Sequence, residues 1–146
     1  MGSQIKFGGI GIDFMVEPDD SQGSMTMFEC SVAAGAKVPA PHSHDAFEET
    51  IYGLEGTSTW VVDGETHRIG PGDAVCIRRG QVHGFDNQTP AETKFLAVAS
   101  PGVFGPAYFR EVADVINASA GGPPDLGAIM DVMRRHGLTP AQPVAT

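Results

Sequence analysis

The residues best suited to chemistry are gathered in two short stretches. His42-Ser43-His44 places two imidazoles at i and i+2; on an extended chain that spacing sends both side chains to one face, close enough to share an ion. Glu49 follows five residues after His44. That separation is odd, so an unbroken strand would aim the carboxylate the other way, and a turn or bulge at Asp45-Ala46-Phe47 must restore its direction. His83 is distant in sequence and has to arrive on another strand, which a closed barrel allows because facing strands present inward residues to one lumen. Three neutral imidazoles and one carboxylate form a borderline-soft set that suits a divalent transition metal (zinc, iron, nickel, copper or manganese) rather than calcium or magnesium. With one or two coordination positions left for water or substrate, such a site has the form of a catalytic centre rather than a closed structural one.

Other reactive residues read more plainly. Cys30 and Cys76 stand far apart in no CxxC pattern and are expected to be small core thiols. His67 falls at an outward or rim position of a predicted hairpin, and His136 ends a helix, where it interacts with the dipole. Glu48 is either a general base near the metal or, on the plainer reading, a solvent-facing side chain. Phe28, Phe47, Tyr52 and Phe85 are candidates to line an apolar pocket beside the metal, although aromatic residues in a barrel are more often core. Ser43 has no triad, since the neighbouring histidines are claimed by the metal, and there is no phosphate-cradling Gly loop.

The elements that must position these residues are mostly short strands. Ile10, Ile12, Phe14 and Val16 alternate with small or polar residues, giving one buried face. Further strands are expected over Met25 to Val32, Glu49 to Leu54, Thr57 to Val62, Glu65 to Ile69, Asp73 to Ile77, His83 to Asn87 and Lys94 to Ala99, each bounded by Gly, Pro, Asn or Asp. Asp63-Gly64 between two apolar-patterned runs marks a hairpin over Thr57 to Ile69, because both central residues of the primed turn need positive φ. Past Pro101 the period changes to about 3.6. Phe109, Val112, Ala113 and Ile116 share one helical face; Leu126, Ile129, Met130 and Met133 share a second, with Asp125 as its N-cap and Gly137 beyond its end. This αα pair is expected on the outside of the barrel or on a partner chain.

Composition agrees with an all-β domain. The chain has 146 residues, 41% hydrophobic and 18% charged, with 19 Gly and 11 Pro falling between apolar runs. A net charge of -9 would repel a phosphate backbone, and no basic stripe is present, so nucleic acid is not an expected partner. Neither a leader-like apolar segment nor a membrane-length apolar run is visible, and a cytoplasmic, non-membrane location is expected. The N-terminal alternating segment presents a naked strand edge, which predicts a homodimer.

Two segments resemble the paired motifs of the cupin superfamily. Gly35-Ala-Lys-Val-Pro-Ala-Pro-His42-Ser-His44-Asp-Ala-Phe-Glu48-Glu49-Thr-Ile-Tyr-Gly-Leu-Glu-Gly56 is similar to the first, and Gly72-Asp-Ala-Val-Cys-Ile-Arg78-Arg-Gly80-Gln-Val-His83-Gly-Phe-Asp-Asn87 to the second. The resemblance implies a small conserved β-barrel, a double-stranded β-helix or jelly roll, with His42, His44, Glu49 and His83 as metal ligands; its spacing to Gly56 selects Glu49 over Glu48. It departs in having Arg78 where the family usually has Pro, and one extra residue between Gly35 and His42. Arg78 is then a surface charge. The implied organisation is a barrel over 1–104, a C-terminal helical extension over 105–138 and a flexible tail over 139–146.

A single small barrel with a helical tail is also similar to bacterial quercetin dioxygenase-like cupins. That similarity implies a metal-dependent oxidation of a small aromatic, flavonoid-like or diketone substrate, with Glu49 able to accept a proton as well as to ligate. The competing expectations are a non-enzymatic module binding a metabolite or metal, and an isomerase. A phosphosugar isomerase would want several basic residues in the lumen, and only Arg78 or Lys37 could supply them.

Overall fold

The computed structural model describes residues 2–119 and 121–141. Its strands are β1 (Gln4–Phe7), β2 (Ile10–Val16), β3 (Thr26–Val32), β4 (His42–His44), β5 (Glu48–Glu55), β6 (Ser58–Val62), β7 (Glu65–Ile69), β8 (Ala74–Ile77), β9 (His83–Asp86), β10 (Thr93–Ser100) and β11 (Leu138–Pro140). Two antiparallel sheets face each other, one in the order β1-β2-β3-β10-β5-β8 and the other in the order β11-β4-β9-β6-β7. The period-2 pattern decides what points between them. Thr26, Phe28, Cys30 and Val32 of β3, Phe95, Ala97 and Ala99 of β10, and Trp60 and Val62 of β6 are all buried. Asp63 and Gly64 take φ of 48° and 82° and close the β6–β7 hairpin as their residue types require.

Two helices follow, α1 (Pro106–Ala118) and α2 (Leu126–Arg135). Asp125 caps α2 by accepting a hydrogen bond from the Ala128 amide at 3.1 Å, and Gly137 past its end has φ 79°. Their placement differs from expectation. α1 does not lie outside the barrel: Phe109 packs its ring against Phe14 and Phe28, and Phe104 just ahead of the helix reaches Phe28, Phe47 and His44. The helix therefore stops one mouth of the lumen. On α2 the buried residues are Ile129, Val132 and Met133, while Leu126 is exposed, because the apolar stripe begins one turn later than its spacing suggested.

The expected flexible tail begins too early. Leu138, Thr139 and Pro140 pair with His44, Ser43 and His42, so the C-terminal strand braces the strand that carries two candidate ligands. Residues 142–146 lie outside the described residues. The edge of β2 is occupied by β1, which is itself the outermost strand of that sheet and on which α1 packs.

Candidate metal centre

The chain crosses from one sheet to the other between His44 and Glu48, and this crossing builds the site. β4 ends at His44, Asp45 and Ala46 bend, and β5 starts in the opposite sheet. The odd spacing of Glu49 is thereby resolved: its side chain meets the histidines across the lumen instead of pointing away from them. His42 and His83 are directly paired on β4 and β9, with ring centroids 4.8 Å apart, and His44 lies 4.5 Å from His83. One nitrogen from each of the three imidazoles falls within 4.8 Å of the others, an arrangement that could hold a metal ion. Glu49 Oε1 stands 3.9 Å from Nε2 of both His44 and His83.

Hydrogen bonds set the imidazole orientation. The Nδ1 of His42 meets the Ala40 carbonyl oxygen and the Nδ1 of His83 meets that of Gln81, each at 2.9 Å. A carbonyl can only accept, so in each neutral ring the proton sits on Nδ1 and the Nε2 lone pair is left free. Neither nitrogen of buried His44 has a partner, although its ring stacks on Phe47 at 4.2 Å. Such an orphan is costly, and a cation between the rings would satisfy it. The donor set thus fits a divalent transition metal.

Burial governs the charges. It pushes His42 down to about 3, helped by repulsion from His83 and opposed by the Ala40 carbonyl; His44 and His83 are lowered chiefly by burial too. All three are therefore neutral donors at neutral pH. Burial also pushes Glu49 up to about 8. The 3.9 Å approaches to Glu49 are thus between neutral groups in the metal-free protein, not ion pairs.

Beside the cluster lies a cavity of about 50 Å³, walled mostly by apolar side chains, including Phe28, Trp60, Phe85, Phe95 and Phe109. His42, His83 and Glu49 open onto it. No Lys or Arg lines it among the described residues, and Lys37 and Arg78 are both exposed.

The sequence of residues 28–99 matches the family described as Cupin domain. Residues 28–99 are a cupin domain. The chain is 36% identical over 73 residues to quercetin 2,3-dioxygenase from Bacillus subtilis, a match covering half of this chain and 21% of that protein. Among solved structures it is similar to a sugar phosphate isomerase of the cupin superfamily from Silicibacter pomeroyi (26% identity, TM-score 0.56, 63% of this chain and 59% of that one). It is also similar to the polyketide cyclase RemF from Streptomyces resistomycificus (28% identity, TM-score 0.59, 68% of this chain and 73% of that one). The match spans about a fifth of the curated dioxygenase and less than two thirds of the isomerase.

Within this cupin the other expected site residues divide. Phe28 and Phe85 line the cavity. Phe47 is buried against His44 and Phe104 without reaching the cavity wall. Tyr52 is 45% exposed, because it lies an odd number of residues from Glu49 on β5 and so points outward. Glu48 is excluded from the centre by the same alternation: its Oε2 accepts from Arg79 Nε at 2.7 Å on the surface. Cys30 is buried as expected and also lines the cavity, but Cys76, expected in the core, is exposed on the edge strand β8. His67 is partly exposed beside Glu65, and His136 caps α2 and meets Glu111. Trp60, Phe95, Phe104 and Tyr108 were not anticipated as cavity residues. Strand alternation turns the first two inward; the last two depend on where α1 docks.

Proposed function

We propose that this cupin is a metal-dependent, dioxygenase-like oxidoreductase acting on a small, largely apolar compound with a carbonyl or enol oxygen, a diketone being the simplest case. The observation that carries the reading is the three-histidine cluster with Glu49, which opens onto an apolar cavity where a ligand could reach the centre. His42, His44, His83 and Glu49 would hold one divalent ion. That ion, when bound, supplies Lewis acidity and redox chemistry toward dioxygen.

The chain's own residues do the rest. The Ala40 and Gln81 carbonyls hold the His42 and His83 rings with Nε2 presented to the centre. Phe104 and α1 shut out water, which strengthens every charge interaction inside. Glu49, which faces the cavity beside the histidines, is suited as a carboxylate to accept a proton from an enolisable carbon and to return it.

The similarity to quercetin 2,3-dioxygenase supports the reaction class, while the cavity argues against a flavonoid. Its 50 Å³ is far below the roughly 300–1,000 Å³ of pockets for drug-sized ligands and admits only a handful of waters' worth of material. A sugar phosphate is disfavoured by the lack of Lys or Arg on the wall. The test is oxygen uptake by protein reconstituted in turn with iron, nickel, manganese, copper and zinc, offered pentane-2,4-dione, small enols and quercetin. Metal-dependent uptake with the small compounds is expected. Fully metallated protein that consumes no oxygen with any of them would return the chain to a binding role.

A further inference from the structure

The cavity has few polar groups, and nearly all are already engaged. Trp60 Nε1 donates to Ser58 Oγ at 2.9 Å. The Nδ1 atoms of His42 and His83 are held by backbone carbonyls, and the Cys30 thiol faces the Ser31 carbonyl at 4.0 Å. Setting aside Glu49 and the cluster, Tyr108 is the one wall residue with a polar side-chain group that makes no hydrogen bond among the described residues. Tyr108 is only 5% exposed. Its ring is fixed by Phe104, Phe109 and His136 at centroid distances of 5.3, 5.0 and 5.7 Å. A phenol in a largely apolar setting gains by finding a hydrogen-bond partner. Burial holds the phenol in its protonated form, so it has an O–H to donate.

We propose that Tyr108 is the substrate-orienting donor of the cavity, giving its phenolic O–H to a carbonyl or enolate oxygen of the small ligand while the other end of that ligand faces the histidine cluster. This rests on the reading of the site given above and adds who selects the ligand. Tyr108 belongs to α1, outside residues 28–99 that carry the cupin motifs. Substrate choice is then set by the helix that stops the barrel, while the barrel supplies the metal centre.

The test separates binding from turnover by using a redox-silent ion. The full chain is loaded with zinc, and pentane-2,4-dione is titrated in by calorimetry, for the unmodified protein and for Tyr108→Phe, which keeps the packed ring. The variant should hold the same zinc and melt within about a degree of the parent, while its dissociation constant rises about 3- to 10-fold, the range of one net hydrogen bond. Binding should also perturb the tyrosine absorption near the ultraviolet edge in the parent and not in the variant; the one other tyrosine, Tyr52, is exposed. Equal affinities would overturn the role of Tyr108 and leave the site reading standing. A variant that loses zinc or melts several degrees lower would overturn it as well, by making the residue structural. No binding by the parent would overturn the ligand class, and this inference with it.

Discussion

Replacing Glu49 with Gln should make the metal-free protein more stable while weakening its hold on metal. Burial raises Glu49 from an ordinary value of 4.5 to about 8. In the unfolded chain the group releases its proton near 4.5; in the folded chain it keeps it until about 8. Between those limits the folded state binds more protons, so stability is full below about pH 4.5 and declines as pH rises toward 8. At 1.36 kcal/mol per unit, the 2.5 units between 4.5 and 7 correspond to about 3 kcal/mol at neutral pH. A buried amide has its own desolvation cost of about 1 kcal/mol or more, leaving a net gain of about 2 kcal/mol for Glu49→Gln, or roughly 4–8 °C in melting temperature for a chain of this size. The assay is thermal unfolding of chelator-stripped parent and variant at pH 5, 6, 7 and 8. The stability gap should widen by about 1.4 kcal/mol per pH unit across that series. A gap that is absent, or constant with pH, would refute a buried neutral carboxyl at this position.

Three other outcomes follow from the same geometry. His44→Ala should abolish stoichiometric metal binding by elemental analysis, and retention of one ion per chain would remove His44 from the ligand set. Ending the chain after Gly137 deletes β11, the hydrogen-bonded neighbour of His42–His44; metal affinity measured by competition with a chelator should fall about 10- to 100-fold, as for loss of other groups that hold ligands in place, and an unchanged affinity would show that β4 needs no brace. Phe104→Ala removes a ring, 4% exposed, that touches both the barrel core and His44. Urea unfolding should register a loss of about 3–5 kcal/mol, and a loss below about 1 kcal/mol would mean that α1 does not depend on this packing.

Much of the site was legible because its signals are local. The i, i+2 spacing of His42 and His44 placed both rings on one face wherever that strand went, and the break at Asp45-Ala46-Phe47 was demanded by the position of Glu49 alone. Asp63-Gly64 fixed a hairpin through φ preferences that hold in any fold. Tyr52 is a miss that the sequence could have prevented: it has the opposite parity to Glu49 on the same strand, and alternation sends it outward.

The rest depended on long-range docking. Helical periodicity identifies an apolar face, yet Phe109 and Val112 would show the same face whether α1 lay on the outer surface, on another chain or in the barrel mouth. Only the packed structure puts Phe104 on His44 and Tyr108 on the cavity wall. Likewise Leu138-Thr139-Pro140 is too short and too mixed to announce a strand; it becomes one because the edge of β4 offers unpaired backbone groups that need partners. Local chemistry thus determined which residues can hold an ion, while the closure of the barrel decided how much room is left beside it and who else faces that room.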